Sequence, residues 1–240
     1  EILGAAGADA VLIDLEHVSH GVEQAERLIV AADAAGISAL VRPPVAEPAL
    51  VSRILDAGAH GIVFPHVDDA AAARRAVRCT RHAPAGDRGW GGAHTRHAMW
   101  QGGYAGDVLA GDGDRGVYTH AYVEAASRVV SLMLIESARG VENAAEIAAV
   151  DGVGGVIFGW GDYAVECGLD PDRCRAAARA VYEACRARGV GVALSAGDDF
   201  YPGCFTIAGV DSLLMSRALT DAVSATVSLR GTKVAQVRNA

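Results

Sequence analysis

The 240-residue sequence contains no long uninterrupted apolar run and no stripe of basic residues. A membrane-spanning helix needs about 20 consecutive apolar residues, so a span of this kind is excluded. The sequence shows no basic-then-apolar leader of the secretory type. A net charge of -8, with Arg scattered through predicted helices, argues against a nucleic-acid-binding surface. We expect a cytoplasmic protein that acts on a small molecule, with neither membrane nor nucleic acid as partner.

The sequence also lacks the cysteine spacings of zinc sites and of CxxC redox motifs. Its cysteines are dispersed and odd in number, and they are Cys79, Cys167, Cys174, Cys185 and Cys204. We therefore expect reduced thiols that fill helices and the core.

What the sequence does contain is a repeated alternation of β-branched apolar runs with alanine-rich amphipathic stretches. This pattern is typical of βα units and a parallel sheet. A chain that is 51% hydrophobic can bury one large core, so residues 1–240 are expected to form a single domain. Seven strands are predicted, over residues 10–15, 38–42, 61–65, 129–135, 155–158, 190–194 and 212–215. Helices are predicted between them, including those over residues 140–149 and 198–208, with a C-terminal helical stretch from Asp221.

The predicted fold class is an α/β (β/α)8 TIM barrel. Because seven strands are one too few for this barrel, the first strand is expected upstream of Glu1, or missing from this chain. The opening residues, EILGAAGA, are typical of the end of a helix that leads into a strand. The segment 84–117, rich in Gly, His and Arg, is expected to cover the barrel mouth or to reach a neighbouring subunit.

Three predicted strands stop abruptly at charged groups, in VLIDLEH (11–17), SLMLIE (131–136) and GVIFGWGD (155–162). In β/α barrels the C-terminal ends of the strands carry the chemistry. Glu136 and Asp162 end consecutive strands, so their carboxylates could chelate one hard cation such as Mg²⁺ or Mn²⁺. The alternative is that each carboxylate caps the following helix or pairs with a basic residue such as Arg139.

His17 and Arg42 are the other candidate catalytic residues. A histidine titrates near neutral pH and can act as a general base or acid, and a carboxylate partner would raise its basicity. The alternative is a buried histidine bonded to a backbone carbonyl. Arg42 ends a strand in VRPP, where its planar guanidinium suits a carboxylate or enolate oxygen, and the alternative is a surface ion pair. The position of Asp56, near the end of a helix, gives it no role by itself.

The ordered set of segments IDLEH, VRP, LDAGAHGIVFP, PAGDRGWGGAHTRHAMW, LIESARGVENAAEI and GVIFGWGDYAVECG resembles the 4-hydroxy-2-oxo-acid aldolase family. These are class II, metal-dependent pyruvate aldolases within the citrate-lyase-like superfamily. The resemblance covers Glu1 to about Thr220. It implies a (β/α)8 barrel whose metal, Mg²⁺ or Mn²⁺ with Co²⁺ as a further candidate, is bound by Glu136 and Asp162.

The resemblance also implies roles for the remaining residues. Arg42 would hold the keto or enolate oxygen of a 2-oxo acid, and the backbone amides of Gly161 and Asp162 would meet its carboxylate. His17, with Asp56 as its relay partner, would handle the proton at the aldol oxygen through a bound water. The implied reaction is reversible cleavage of a 4-hydroxy-2-oxo acid to pyruvate and an aldehyde through a metal-stabilised enolate. Lysines are few and none lies at these strand ends, which favours this route over an imine route.

Two positions depart from the pattern of the resembled family. Leu134 stands where the family usually has glutamine, and Gly159-Trp160-Gly161-Asp162 stands for Gly-Pro-Ala-Asp. The aldehyde half of the substrate is therefore left open. Alternative functions are a specialised C–C bond-forming or decarboxylating enolate enzyme, a citramalyl- or malyl-CoA-type lyase, and a non-catalytic barrel. The resemblance further implies a homo-oligomer, a hexamer or trimer, with the C-terminal helix near residues 219–227 packing in the barrel or on a neighbour.

Overall fold

The computed structural model describes residues 1–91, 95–96, 123–195 and 205–230. The strands are β1 (Ala10–Asp14), β2 (Ser38–Arg42), β3 (Gly61–Phe64), β4 (Val130–Ile135), β5 (Gly155–Phe158), β6 (Gly191–Ser195) and β7 (Phe205–Ile207). The helices are α1 (Ile2–Ala5), α2 (Val22–Ala34), α3 (Pro48–Asp56), α4 (Ala70–Thr80), α5 (Ala138–Glu142), α6 (Ala144–Ala148), α7 (Trp160–Glu166), α8 (Pro171–Arg186) and α9 (Asp211–Arg230). Residues 123–127 are also helical.

The strands form one seven-stranded sheet in which they follow each other in chain order. Every pairing from β1 to β6 is parallel. Consecutive parallel strands need a crossover, and α2, α3, α4, α5 with α6, and α7 with α8 provide those connections. The predicted α/β class with a parallel sheet is therefore confirmed, and all C-terminal strand ends of β1 to β6 lie at one edge of the sheet.

The central strands are buried on both faces, as parallel strands between helices must be. Every residue of β3 and β5 is buried, and so is β4 after Val130. The largest fully buried side chains include those of Phe64, Met133 and Phe158. This rigid centre fixes where the residues that follow Phe64, Ile135 and Phe158 must lie.

Helix ends follow the local chemistry of the sequence. Glu47 caps α3, because its carboxylate accepts hydrogen bonds from the backbone N–H groups of Ala49 (3.0 Å) and Leu50 (2.7 Å). Gly36 follows α2 with φ of +71°, a left-handed conformation that glycine adopts without strain. The four cysteines in the described part are buried, as expected, and Cys204 lies outside it. No helix in the described ranges is long and apolar enough to cross a membrane.

The chain divides into two compact units, Glu1–Ala193 and Leu194–Ala240. In the second unit the sequence-based prediction was wrong at two elements. Residues 212–215, predicted as a strand, belong to α9, and Phe205–Ile207, predicted within a helix, form β7. A short apolar run such as LLM fits a buried strand or one turn of a helix equally well, so periodicity could not decide between them.

Two helices also differ from the prediction near β4 and β5. The helix expected from Gly140 to Ala149 is two short helices, α5 and α6, separated at Asn143, whose side-chain amide donates to the Asp68 carbonyl (2.8 Å). The second helix, α7, was not predicted and begins within GWGD at Trp160, directly after β5. This helix carries Gly161 and Asp162 at the edge where the strands end.

Candidate active site

Asp14 and Arg42 form the first part of the site, at the C-terminal ends of β1 and β2. They are register partners in the sheet. The Arg42 guanidinium donates two hydrogen bonds to the Asp14 carboxylate, Nε to Oδ1 and Nη2 to Oδ2, both 2.8 Å. Arg42 is only 18% exposed, so the surface ion pair considered above does not describe it. The bidentate pair fixes the plane of the guanidinium at the strand ends.

The charges of Asp14 and Arg42 shift the pKa of each group in the direction that favours its ionised form. Burial alone would raise the pKa of Asp14, but the hydrogen bonds and charge of Arg42 outweigh it and hold that pKa below its usual value. Burial alone would lower the pKa of Arg42, while Asp14, followed by Glu16 and Glu136, raises it. Both groups are therefore charged throughout the physiological pH range.

Glu16 follows β1 and was not assigned a role from the sequence. Its side chain is 8% exposed and its Oε2 lies 3.3 Å from Nε of Arg42. His17 lies beside it, with Nε2 3.5 Å from the same oxygen. The His17 side chain is 61% exposed, so the buried histidine bonded to a backbone carbonyl is not what the structure contains.

His66, directly after β3, was also missed. Its ring lies between two carboxylates, with Nε2 3.1 Å from Oε1 of Glu16 and Nδ1 2.9 Å from Oε1 of Glu136. Its backbone N–H donates to the same Glu136 oxygen (2.7 Å), from a left-handed conformation with φ of +54°. The only sequence signal was its place after VFP, at the end of the strand that neighbours β4.

Glu136 is the most buried carboxylate of the site, at 5% residue exposure. It does not cap the next helix, because the N-cap of α5 is Ser137, whose Oγ accepts from the Gly140 N–H (3.0 Å). Nor does it pair with Arg139, which donates to Asp69 (2.6 Å). Glu136 is therefore neither the cap of α5 nor the partner of Arg139, and its contact with a basic side chain in the described part is with His66.

Burial raises the pKa of Glu136, and the nearby carboxylates of Asp162 and Glu16 raise it further, while His66 opposes them. The Asp162 charge is therefore close enough to act on Glu136, although Asp162 lies in the first turn of α7 and not at the end of β5 as predicted. A Cβ atom added at Gly159 would lie 2.6 Å from Cβ of Glu136, so only glycine allows α7 to begin this close to β4.

Within the described residues, three carboxylates act on one permanently charged cation, Arg42, and they are Asp14, Glu16 and Glu136. A fourth carboxylate, Asp162, acts on Glu136. In that part of the chain, no group of three or more His, Cys, Asp or Glu side chains is arranged to hold a metal ion alone. This fits a hard cation bound by one or two carboxylates, with waters and substrate oxygens filling the other positions.

Asp56, predicted as the relay partner of His17, lies elsewhere. It ends α3, which leads into the first residue of β3, whereas His17 follows the last residue of β1. The two residues of one chain are therefore at opposite edges of the parallel sheet. Arg88, whose side chain is fully buried, donates to Asp56 (3.0 Å).

Arg88 belongs to the segment 84–117, which was expected to cover the barrel mouth or to reach a neighbouring subunit. The described part of this segment instead contacts the edge where the strands begin. Arg96 donates to Asp33 near the end of α2 (2.5 Å), and Arg88 to Asp56 at the end of α3. The rest of the segment lies outside the described residues.

Trp160 occupies the first position of α7, two residues before Asp162. Its ring packs edge-on against Phe158, with ring centroids 5.2 Å apart. Its indole Nε1 is buried and has no hydrogen-bond partner among the described residues. Leu134, the other departure, is 5% exposed and lies on the same face of β4 as Glu136, two residues before it.

The carboxylates and Arg42 lie at the C-terminal edge of a parallel α/β sheet, where folds of this class place their ligand sites. Comparison with known proteins identifies the family. Residues 1–200 match the model of the HpcH/HpaI aldolase/citrate lyase family, and the chain belongs to this family. The resemblance stated from the sequence is thus confirmed.

Two curated proteins with similar sequences are aldolases. A hydroxypyruvate/pyruvate aldolase of Deinococcus radiodurans is 34% identical over 230 residues, which is 91% of this chain and 77% of that protein. A 2-keto-3-deoxy-L-rhamnonate aldolase of Salmonella dublin is 28% identical, with 98% of this chain and 87% of that protein covered.

Among solved structures, an HpcH/HpaI aldolase/citrate lyase family protein from Burkholderia cenocepacia matches with a TM-score of 0.77 and 31% identity. The match covers 94% of this chain and 88% of that one.

Proposed function

We propose that the protein is a metal-dependent aldolase, a carbon–carbon lyase that reversibly cleaves a 4-hydroxy-2-oxo acid to pyruvate and an aldehyde. The observation that carries this proposal is Glu136, a buried carboxylate beside Asp162 with no arginine or lysine paired to it among the described residues. A divalent cation would neutralise this excess negative charge. Family membership and the two aldolase relatives support the same reaction class.

Glu136 and Asp162 would hold the metal, with Mg²⁺ and Mn²⁺ as the proposed ions and Co²⁺ as a further one. The metal supplies Lewis-acid polarisation of a 2-oxo acid when it is bound. Arg42, fixed by Asp14, would hold the keto oxygen and stabilise the enolate charge that develops there. The backbone amides of Gly161 and Asp162, exposed at the start of α7, would orient the substrate carboxylate.

His17 would accept the proton of the substrate C4 hydroxyl through a water. The C3–C4 bond then breaks, its electron pair enters the enolate, and the aldehyde leaves. A proton added at C3 completes pyruvate. An imine route is disfavoured, because the sequence has a single lysine, Lys233, near the C-terminus.

Release of pyruvate from a panel of 4-hydroxy-2-oxo acids, coupled to lactate dehydrogenase, tests this function. We expect release with Mg²⁺, Mn²⁺ or Co²⁺ and none with EDTA. The same ions should raise Tm, since a ligand that binds only the folded state stabilises it; a concentration 100 times Kd adds about 2.7 kcal/mol. Pyruvate release that continues in EDTA would contradict the metal route. If no substrate of the panel released pyruvate with any of the three metals, the aldolase function would be contradicted.

We also propose a homo-oligomer, a hexamer or trimer, built on the (β/α)8 barrel of the family. Two observations support it. Apolar side chains of α9 are more than half exposed in the single chain, and they are Leu213, Met215, Leu219 and Val223. An apolar surface of this kind marks a protein contact. In addition, the relay of His17 with Asp56 requires Asp56 of the partner subunit, because one chain places them at opposite edges of the sheet.

Mixing two inactive variants tests this arrangement. His17→Ala and Asp56→Asn are each expected to be inactive, and mixed oligomers should recover activity, because about one quarter of the sites would hold both intact residues. A mixture of His17→Ala with Glu136→Gln is the matched control, since both changes affect the same chain's site and no recovery is expected. Equal recovery in both mixtures, or none in either after verified subunit exchange, would contradict the shared site.

A further inference from the structure

Arg88 and Asp56 combine a buried cation with an accessible carboxylate. The Arg88 side chain is fully buried, whereas the side chain of Asp56, which accepts a hydrogen bond from Nη2 of Arg88 (3.0 Å), is 23% exposed. A guanidinium does not escape burial by losing a proton, so it needs polar partners inside the protein. Because Asp56 ends α3, just before β3 begins, this pair lies at the edge of the sheet opposite to Glu136 and Arg42 of its own chain.

Two hydrogen bonds hold the backbone of Arg88 in place. Its N–H donates to the Arg81 carbonyl (2.9 Å), and its carbonyl accepts a hydrogen bond from Nδ1 of His82 (3.1 Å). A carbonyl oxygen only accepts, so Nδ1 of His82 carries the proton. Burial, followed by the charge of Arg88, lowers the pKa of His82 and favours the neutral ring that makes this bond. The guanidinium therefore extends from a fixed backbone position.

Gly91 lies against the other oxygen of the same carboxylate. A Cβ atom added at Gly91 would be 2.7 Å from Oδ2 of Asp56 and 3.1 Å from its Cγ. Only a residue without a side chain lets the backbone come this close. With Arg88 bound to Oδ1 and the backbone of Gly91 beside Oδ2, the Asp56 carboxylate has little freedom to rotate. Its exposed part therefore has one defined orientation.

We infer that Arg88 is the positioning residue of Asp56 in the site that Asp56 completes on another copy of the chain. The inference rests on the proposed aldolase function and on the site shared between subunits. A group that takes part in proton transfer must itself be held in its productive orientation by hydrogen bonds. The bond from Arg88 fixes the carboxylate of Asp56, so that it meets His17 of the partner subunit in one geometry. Arg88 gains and loses no proton, and the proton of the C4 hydroxyl still passes to His17.

Another role for Arg88 would be to stabilise the fold alone. The two roles predict damage in different places. A loss of fold stability would affect the whole chain, including the site at the opposite edge of its sheet. A loss of positioning would affect only what Asp56 contributes to the other subunit, and would leave the chain's own His17 and Glu136 able to work with an intact Asp56 of the partner subunit.

Mixed oligomers separate these roles. Arg88→Met removes the guanidinium, and kcat for cleavage is expected to fall about 100-fold, the lower range for acid–base catalysis. Mixed with His17→Ala, it should regain about one quarter of wild-type activity, because its own His17 is intact and the other chain supplies an intact Asp56. Mixed with Asp56→Asn, it should regain nothing, because every chain then lacks one member of the same pair.

Two further variants complete the comparison. Arg88→Lys keeps the charge without the planar fork of donors, so its kcat should fall only about tenfold. It shows the same recovery with His17→Ala and carries the test if Arg88→Met does not fold. Arg81→Met is the matched control, because Arg81 is a half-buried arginine of the same region that donates to the Ala126 carbonyl (2.7 Å) and not to Asp56. Its kcat should stay within about threefold of wild type.

Enolate formation from pyruvate alone is a second readout. It involves C3–H and not the C4 hydroxyl, and it is measured as exchange of the methyl protons in D₂O. Arg88→Met should change this exchange by less than about threefold, because Arg42 and the proposed metal ligands of the same chain are untouched. Cleavage of the 4-hydroxy-2-oxo acid should therefore fall much more than exchange.

A double variant tests the assignment whichever way the subunits pack. If Arg88 acts through Asp56, Arg88→Met adds no further loss of kcat to Asp56→Asn. An additive loss overturns the inference while the aldolase function stands. So does a failure of Arg88→Met and Arg88→Lys to recover with His17→Ala, when Asp56→Asn does recover with it. A wild-type protein that neither cleaves nor exchanges with metal present overturns both.

Discussion

Glu136→Gln is expected to lower kcat/KM by about 10³-fold, about 4 kcal/mol of transition-state stabilisation, and to abolish the metal-induced rise in Tm. The amide oxygen can still accept the hydrogen bond from the His66 backbone N–H and stay beside Nδ1 of the same residue, so the local structure is retained. Only the negative charge that would hold the cation is removed. The measurement is the rate of pyruvate release with Mn²⁺ or Mg²⁺, together with Tm at increasing metal concentration.

The same variant should not lose stability without metal. Because burial and two neighbouring carboxylates raise the pKa of Glu136, its ionised form is disfavoured in the folded protein. A neutral side chain of the same shape relieves this repulsion, so Tm in EDTA is expected to equal or exceed that of wild type. Glu146→Gln, at an exposed position of α6, is the control and should match wild type in every assay. Normal turnover in Glu136→Gln would contradict the proposed metal site.

Arg42→Lys is expected to lower kcat/KM by about 10² to 10³-fold while metal binding is retained. Lysine keeps the positive charge but cannot make the two parallel hydrogen bonds to Asp14, and it cannot present fixed donors to an enolate oxygen. The measurement is kcat/KM for cleavage together with the metal-induced change in Tm. Exchange of the pyruvate methyl protons should fall by a similar factor.

Arg139→Lys is the matched control for this change, because Arg139 makes an exposed ion pair with Asp69 away from the site. Its kcat/KM should stay near that of wild type. If Arg42→Lys retained activity within a few-fold, the guanidinium would serve only to hold Asp14 and the β1 and β2 ends together.

The strands of the first unit could be predicted because each is a short apolar run, and β1 to β4 end at a charge or a proline. The site residues His17, Arg42, Glu136 and Asp162 could be placed at one edge for the same reason. Glu16 and His66 could not be assigned, because their contacts depend on strand register and on the left-handed backbone of His66. Neither property has a clear sequence signal for a residue other than glycine.

The failures in the second unit have a different cause. The run Leu213, Leu214, Met215 was interpreted as a buried strand, but the structure places it in α9 with these side chains exposed. An apolar run predicts that its side chains are buried. The sequence alone does not say whether they are buried by their own chain or by another subunit. The sequence also could not show which copy of the chain supplies Asp56 to His17, because motif order along the chain carries no information about how subunits pack.

The pairing of Asp14 with Arg42 across the β1–β2 ladder makes activity a measure of correctly folded molecules. A slip of one residue in this ladder would turn the Arg42 side chain to the opposite face of the sheet, away from Asp14. Such a molecule could remain compact and helical, and circular dichroism would not distinguish it. Its guanidinium would nevertheless be absent from the site. Specific activity after refolding therefore reports the fraction of chains with native register.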